Sequence, residues 1–147
     1  MKSSEGGFTL LESLFVLSVF LIIASISGIL IKPQFLFLEK QLFFTQLKSD
    51  LYFAQSYAIS HQSEVNVNIV PEKKMYYIRT NFDSGDGIIR REYPDLFTVE
   101  KGSMKIFFHF TPNGTVNQFG SFYINAGKEK YRFTFLIGMG RFYVAKE

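Results

Sequence analysis

The sequence reads Gly6-Gly7-Phe8-Thr9-Leu10-Leu11-Glu12 near its N-terminus, and the nineteen residues that follow, Ser13 to Ile31, carry no charge. This stretch decides the fold. In an α-helix nineteen residues rise about 1.5 Å each and span roughly 28 Å, close to the hydrocarbon core of a bilayer at about 30 Å. The sequence therefore predicts a transmembrane helix over residues 8–31, preceded by a short polar segment, residues 1–7.

Glu12 is the unusual residue of this segment, because it places an ionisable group one turn into an otherwise apolar helix. An unpaired carboxylate in an apolar environment costs several kcal/mol, so we expect Glu12 to have a partner. Two simpler interpretations explain less. A secretory signal peptide has a basic start and a shorter apolar core, whereas here Lys2 is offset by Glu5. A plain membrane anchor accounts for the length but not for Glu12 or the paired glycines.

The polar leader ending in Gly7, followed by Phe8-Thr9-Leu10-Leu11-Glu12 and an apolar run, resembles the class III signal of type IV prepilins and pseudopilins. The resemblance implies that a prepilin peptidase cleaves between Gly7 and Phe8 and that the new terminal amine of Phe8 is methylated. It also implies an assembly role for Glu12, whose carboxylate would neutralise the Phe8 amine of a neighbouring subunit.

The remaining composition indicates one outer domain. The 116 residues that follow the span are enough for a single small core. The chain has no Cys, so packing alone must hold this domain, and its eighteen Phe and eight Tyr predict an aromatic core. The formal net charge of +3 is no nucleic-acid signature by itself.

The helix is expected to pause or kink at Pro33 and to resume as a second half, so that residues 32–61 form its membrane-external part. One face of this part recurs at helical spacing and should pack on the following domain: Leu36, Phe43, Leu47, Leu51, Ala54 and Ala58. Four polar residues are expected to lie off that face: Lys40, Lys48, Asp50 and Gln55.

After residue 61 the apolar period changes from 3.6 to 2, which predicts an antiparallel β domain over residues 62–147. The expected strands are Val65–Ile69, Met75–Arg79, Ile88–Arg91, Phe97–Glu100, Lys105–Phe110, Ser121–Ile124, Tyr131–Ile137 and Phe142–Val144. The predicted fold is therefore α+β, a long pilin-like N-terminal helix packed on a C-terminal antiparallel sheet.

This layout extends the resemblance over nearly the whole chain, to the minor pseudopilins of the GspH and FimT type and most of all to the competence pseudopilins of Gram-positive bacteria. The matching residues are Asp50-Leu51, Ala54-Gln55-Ser56-Tyr57-Ala58-Ile59, Val65, Val67, Pro112-x-Gly114 and Gly140-Arg141. The resemblance implies a minor subunit of a pilus that lets transforming DNA cross the cell wall. Its implied partners are other pilins, the prepilin peptidase and the membrane.

The same resemblance implies a single-pass protein of the cell membrane whose C-terminal domain lies outside and which enters a surface pilus on assembly. Two other functions stay open. One is a minor pseudopilin of a type II secretion or type IV pilus system. The other is a membrane-anchored binding module that never polymerises, for which Glu12 would be dispensable.

The sequence gives no basis for an enzyme, a cofactor or a metal. His61 and His109 are the only histidines and stand far apart in sequence, which disfavours a zinc site or a nucleophile–His pair. Asp83 and Asp86 could suggest a calcium loop, but two carboxylates fall short of the six to eight oxygens that the ion requires, so the segment is expected to be an ordinary turn.

Direct DNA contact is the one sharper hypothesis beyond assembly. Two groups of basic residues, the first beside Tyr93, suit phosphates and exposed bases, although solvated surface charge explains them equally: Arg90 and Arg91, then Lys128, Lys130, Arg132 and Arg141. FimT-like members that touch DNA carry Gly-Arg-x-Arg near the C-terminus. Here Gly140-Arg141-Phe142-Tyr143 lacks the second arginine.

Overall fold

The computed structural model describes residues 9–80, 87–138 and 140–147, with helix residues 27–33 described by their backbone alone. The described elements are α1 (Leu10–His61), β1 (Val65–Val70), a 3₁₀ turn (Pro71–Lys73), β2 (Met75–Thr80), β3 (Ile89–Glu92), β4 (Phe97–Lys101), β5 (Phe107–Phe110), β6 (Gly120–Ala126), β7 (Glu129–Phe135) and β8 (Phe142–Lys146). The eight strands expected from the period-two pattern are confirmed, with bounds that differ by a few residues. The loop expected before β3 lies, for residues 81–86, outside the described residues.

Helix α1 is continuous from Leu10 to His61, so the pause expected at Pro33 is wrong. A proline removes a single backbone donor, and the turns on either side keep their own hydrogen bonds. In the described part of the chain, no helical segment combines the length and the apolar character of a membrane span. The transmembrane helix expected over residues 8–31 stays a prediction.

The chain divides between Leu42 and Phe43 into two compact units. The second unit holds the C-terminal part of α1 and two four-stranded antiparallel sheets. Sheet A has the order β3-β2-β1-β5, and sheet B has the order β4-β6-β7-β8. The sequence predicted one sheet, and the structure has two. The chain turns before β4, where the Phe97 N–H donates to the Pro94 carbonyl. β4 then pairs with β6 instead of β3.

One buried cluster joins the helix to both sheets. The stripe predicted on α1 is confirmed for five members, each at most 9% exposed: Phe43, Leu47, Leu51, Ala54 and Ala58. Leu36 is the exception at 45% exposed, because it lies in the first unit and outside this cluster.

The core is aromatic, as the composition predicted. The Phe43 ring of the helix stacks on Phe97 of β4, with centroids 4.1 Å apart. Phe108 of β5 and Phe135 of β7 lie 5.0 Å apart and connect the two sheets. Because aromatic pairs contribute beyond their buried area, these contacts stabilise a domain without disulfides.

Candidate functional site

The first described turn of α1 contains Thr9 and Glu12. The Glu12 N–H donates to the Thr9 side-chain hydroxyl at 3.3 Å and to its carbonyl at 3.1 Å. Thr9 is thus the N-cap of the helix, and Glu12 occupies the third helical position, where the positive end of the helix dipole favours a carboxylate. The spacing Thr-x-x-Glu is the sequence signature of a capping box and could have predicted this role. Gly7 and Phe8, the expected cleavage residues, lie outside the described residues.

Every side chain from Thr9 to Ile26 is exposed. The serines of this range do not present free donors to the surroundings, because their hydroxyls donate to carbonyls three or four residues earlier: Ser13 to Leu10 at 2.8 Å, Ser18 to Phe15 at 2.7 Å and Ser25 to Leu21 at 2.8 Å. Between Phe8 and Ile31 the sequence has no ionisable side chain except Glu12. The helix therefore offers an apolar surface that carries a single carboxylate.

A second polar site lies inside the second unit, around Asp50. The expectation that Asp50 lies off the packed face is wrong, because its side chain is buried, at 4% exposure. Three donors compensate its burial: Gln46 Nε2 at 2.8 Å, the Tyr76 hydroxyl at 2.6 Å and Arg91 Nε at 3.3 Å. Asp50 thus connects the helix to β2 and β3 through charge-assisted hydrogen bonds.

The position of Asp50 could have been read from spacing. It lies three residues after Leu47 and four before Ala54, on the same helical face as both. Burial, together with the hydrogen bond to Asp50, raises the pKa of Tyr76 above its ordinary value of 10.0, so its hydroxyl stays a donor to the carboxylate.

Replacing Tyr76 with Phe tests how much the hydrogen bond from Tyr76 to Asp50 contributes to stability. The ring is kept while one donor to a buried carboxylate is lost, so we expect the free energy of unfolding to fall by about 1–3 kcal/mol. Urea denaturation of a fragment of residues 34–147 measures this fall. Tyr143→Phe is the matched control, because Tyr143 is 50% exposed and should change stability by less than about 0.5 kcal/mol. Equal unfolding midpoints for Tyr76→Phe and the control would contradict a structural role for the Asp50 site.

The two arginines of the first basic group predicted for DNA contact, Arg90 and Arg91, have different surroundings on β3. Arg90 is exposed on β3, whereas Arg91 turns to Asp50 and keeps a half-exposed side chain. Tyr93, which the sequence places beside these arginines, is 5% exposed, and its ring centroid lies 5.6 Å from that of Phe43, so it does not join them as a surface cluster. Burial raises the pKa of Tyr93. The sequence could not show this, because the chain turns inward directly after β3.

The second basic group lies on the other sheet and is accompanied by glutamates. Lys130 is 4.2 Å from the centroid of the Tyr123 ring and 4.0 Å from Glu100 Oε2. Arg132 bonds to Glu147, and this hydrogen bond raises the pKa of Arg132. Lys128, in the turn after β6, and Arg141, before β8, are exposed. The two groups therefore do not share a sheet.

The histidines lie apart in the described structure. His61 stacks on Tyr57 with ring centroids 3.8 Å apart, and His109 Nε2 is 3.9 Å from Glu64. Among the described residues, no group of three or more acidic or histidine side chains is arranged to hold a metal ion. Asp83 and Asp86 lie outside the described residues.

No family model matches the chain. A curated protein does: the competence protein ComGD of Bacillus subtilis (strain 168) is 31% identical over 145 residues, which cover 99% of this chain and 96% of ComGD. The chain belongs to the ComGD family. This membership confirms the resemblance to competence pseudopilins that the N-terminal signal and the strand pattern indicated.

Two solved structures share the fold of this ComGD family member. The type IV minor pilin FimU of Pseudomonas aeruginosa has a TM-score of 0.56 at 19% identity, covering 69% of this chain and 84% of FimU. The minor pseudopilin EpsH of the Vibrio cholerae type 2 secretion system has a TM-score of 0.53 at 13% identity, covering 74% of this chain and 97% of EpsH. Their names describe a minor pilin and a minor pseudopilin.

Proposed function

We propose that this protein is a non-enzymatic minor pseudopilin of a competence pilus that serves DNA uptake. The observation that carries the proposal is the match to ComGD over nearly the full length of both chains. The pilin-like fold supports it, although FimU and EpsH belong to different systems and therefore do not choose between a competence pilus and a secretion pseudopilus. Membership in the ComGD family favours the competence pilus.

The N-terminal part of α1 is proposed to anchor the protein in the cell membrane as a single span and to carry it into the filament, with the C-terminal domain outside. Three features support this role. The side chains from Thr9 to Ile26 are exposed, nineteen successive residues carry no charge, and the serine hydroxyls in the described part of the helix bond internally. In an apolar surrounding every polar group must find a partner, and serine achieves this within its own helix.

Glu12 is the proposed assembly residue. A carboxylate cannot satisfy itself in an apolar surrounding as a serine hydroxyl does, so it needs a cation. The N-terminal amine of Phe8 on a neighbouring subunit, freed by the prepilin peptidase and methylated, would supply one. The position of Glu12 in the first turn of α1, beside the cap at Thr9, supports this pairing, because it holds the carboxylate at the end of the helix where such an amine would lie.

Replacing Gly7 with Val tests the maturation step. A branched side chain at the proposed junction should block the peptidase, so the variant is expected to accumulate in membranes with its leader attached. Intact mass measurement of the membrane fraction distinguishes the two forms, since the wild-type chain should begin at methylated Phe8. Gly6→Val is the matched control and should still be cleaved after Gly7. A Gly7→Val protein cleaved as efficiently as this control would contradict the proposed processing site.

A further inference from the structure

Each of the two four-stranded sheets has two edge strands, and the chain closes the edge of β5 with its own hydrogen bonds. From the register with β1, the backbone groups of Phe107 and His109 point away from sheet A. Gln118 Nε2 donates to the Phe107 carbonyl at 3.1 Å. The His109 N–H donates to Asn117 Oδ1 at 2.9 Å, and the His109 carbonyl accepts from the Asn117 N–H at 3.0 Å. Edge groups left without partners can pair with another chain, and this closure prevents such pairing at β5.

The edges of β4 and β3 are protected in other ways. On β4 the Phe97 N–H donates to the Pro94 carbonyl at 3.0 Å, and Lys74 Nζ donates to the Phe97 carbonyl at 2.7 Å. On β3 the residues whose backbone groups point outward are Arg90 and Glu92. Charged side chains on an edge strand oppose the approach of another strand.

The fourth edge strand is β8, and its hydrogen bonds to β7 show which backbone groups it leaves outward. The Leu136 N–H donates to the Arg141 carbonyl and the Glu147 N–H donates to the Lys130 carbonyl, both at 2.8 Å. Hydrogen-bonded pairs recur at every second residue of an antiparallel ladder, so the residues of β8 that bond to β7 are the odd-numbered ones. Three residues therefore direct their N–H and carbonyl groups away from sheet B: Phe142, Val144 and Lys146. In the part of the chain that the structure describes, no hydrogen bond reaches these outward groups, and we call them the open edge.

The side chains of β8 favour pairing with another strand. The run Phe142-Tyr143-Val144-Ala145 contains no charge and no proline, two of the features that protect an edge. On the face toward the helix, Phe142 is buried and its ring centroid lies 4.8 Å from that of Tyr52, which is 51% exposed. On the opposite face Tyr143 is 50% exposed. A strand added beside β8 would therefore find apolar surface on both of its faces.

Arg141, the residue before β8, adds a positive charge beside the open edge. It is exposed, and among the described residues no acidic side chain lies within ion-pair distance of it. Two other cations of sheet B are paired, Arg132 with Glu147 and Lys146 with Glu129. A partner strand with a carboxylate beside Arg141 would thus complete an ion pair that the described chain does not make.

We propose that the open edge of β8 binds an extended segment of a neighbouring pilin subunit, which joins sheet B as an additional strand. Main-chain hydrogen bonds to Val144 and Lys146 would supply affinity, and side chains would supply selection. The expected segment carries apolar residues at alternate positions, to cover Val144 and Tyr52, and an acidic residue beside Arg141. The proposal rests on the proposed function, because a filament is what places a second pilin next to this one.

A second copy paired through its own β8 fits the open edge less well. Two antiparallel β8 strands in one sheet are related by a two-fold axis perpendicular to that sheet. The part of α1 from Phe43 onward packs against the sheets, so this axis would reverse the direction of the helix in the second copy. Filaments are built from head-to-tail contacts, which join different surfaces and keep one polarity. The added segment is therefore expected to come from another surface of the neighbouring subunit.

Hydrogen exchange of the full-length wild-type protein tests this pairing, by comparison of the protein in detergent micelles with the protein in sheared filaments. Mass spectrometry with fragmentation resolves the amides of β8. In micelles the amides of Val144 and Lys146 should exchange faster than those of Tyr143 and Ala145, which donate to β7. In filaments the exchange of Val144 and Lys146 should slow about a hundredfold or more, because a paired amide exchanges only when the pair opens. Equally fast exchange of Val144 in both samples overturns the proposal.

Replacing Val144 with Pro removes one outward N–H and no hydrogen bond to β7, so the variant should fold. Its amount in sheared filaments, relative to its amount in membranes, should fall about tenfold or more, because proline cannot donate to an added strand. Val144→Thr is the matched control, since it keeps the N–H and nearly the same shape, and it should enter filaments normally. Ala145→Pro checks the strand assignment, because it removes a donor to β7 and should lower the melting temperature in micelles, whereas Val144→Pro should not.

Replacing Arg141 with Glu tests the charge beside the open edge without a change to the backbone. Incorporation into filaments should fall about tenfold, because the new carboxylate repels the acidic residue of the added segment. Arg141→Lys keeps the charge and should be incorporated normally. Absence of the wild-type protein from filaments would contradict the proposed function, and the partner of the open edge with it. Normal assembly of the wild type, of Val144→Pro and of Arg141→Glu would overturn the open edge alone.

Discussion

Replacing Glu12 with Val is expected to leave membrane insertion and leader cleavage intact while lowering incorporation into filaments about a hundredfold or more. Removing a charge makes an apolar helix easier to insert, so the anchor itself should not suffer. The lost interaction is the ionic partner of a neighbouring subunit's terminal amine. Breaking such a pair in an apolar surrounding costs about 3–5 kcal/mol, and each 1.4 kcal/mol corresponds to a factor of ten. The amount of the variant in sheared surface filaments, relative to its amount in membranes, measures the effect.

Ser18→Val is the matched control for this experiment. It also places valine at a polar position of the exposed helix, but the Ser18 hydroxyl already bonds to the Phe15 carbonyl within the same helix. The control should therefore enter filaments normally. Normal filament incorporation and normal transformation of the Glu12→Val strain would contradict the assembly role and favour the membrane-anchored binding module. Normal transformation with altered protein secretion would favour a secretion pseudopilus.

Replacing Leu51 with Asp is expected to unfold the second unit, residues 43–147. Leu51 is fully buried at the centre of the helical stripe, in the cluster that joins α1 to both sheets. A carboxylate there would lack the donors that compensate Asp50, and its burial costs several kcal/mol. That cost is comparable with a total stability of about 5–15 kcal/mol. The wild-type fragment of residues 34–147 should give a well-dispersed amide NMR spectrum. The same fragment with Leu51→Asp should give the narrow amide dispersion of an unfolded chain.

Ser49→Asp separates burial from charge in this test. It introduces the same side chain into the same helix two residues earlier, at an exposed position, and should leave the spectrum dispersed. A dispersed spectrum from the Leu51→Asp fragment would show that the packed face of the helix has been assigned wrongly.

The sequence was sufficient for the features that depend on apolar periodicity. The spacing of Phe43, Leu47, Leu51, Ala54 and Ala58 identified the buried face of the helix, and alternation identified eight strands in the right order. Periodicity works here because each element buries one face, so burial repeats at the period of the element itself. It failed at Leu36, which continues the helical spacing but lies in the first unit and outside the buried core of the second.

Features that depend on pairing between distant segments could not be predicted in this way. Nothing local distinguishes one sheet from two, because the partner of β4 is a strand some twenty residues later. The burial of Asp50 likewise depends on Tyr76 and Arg91, whose approach follows from the fold rather than from the helix. A polar residue on a packed face can be noticed from spacing, but its donors cannot be named from spacing.

The candidate sites show the same difference between features that are local in the sequence and features that depend on distant segments. Glu12 is identifiable from the sequence because it is one charge in a long uncharged run, and the Thr-x-x-Glu spacing also contains the cap at Thr9. The burial of Tyr93 could not be predicted from its position beside Arg90 and Arg91, since exposure after β3 depends on where the chain turns.

The central claim is that this chain is a processed filament subunit, and the intact mass of the protein recovered from sheared surface filaments tests it most directly. The account predicts that the protein is present in the sheared fraction and that its mass is that of residues 8–147 with one methyl group on Phe8. A protein that stays with the cell membranes, or one that enters the sheared fraction with Met1 and the leader still attached, would contradict it.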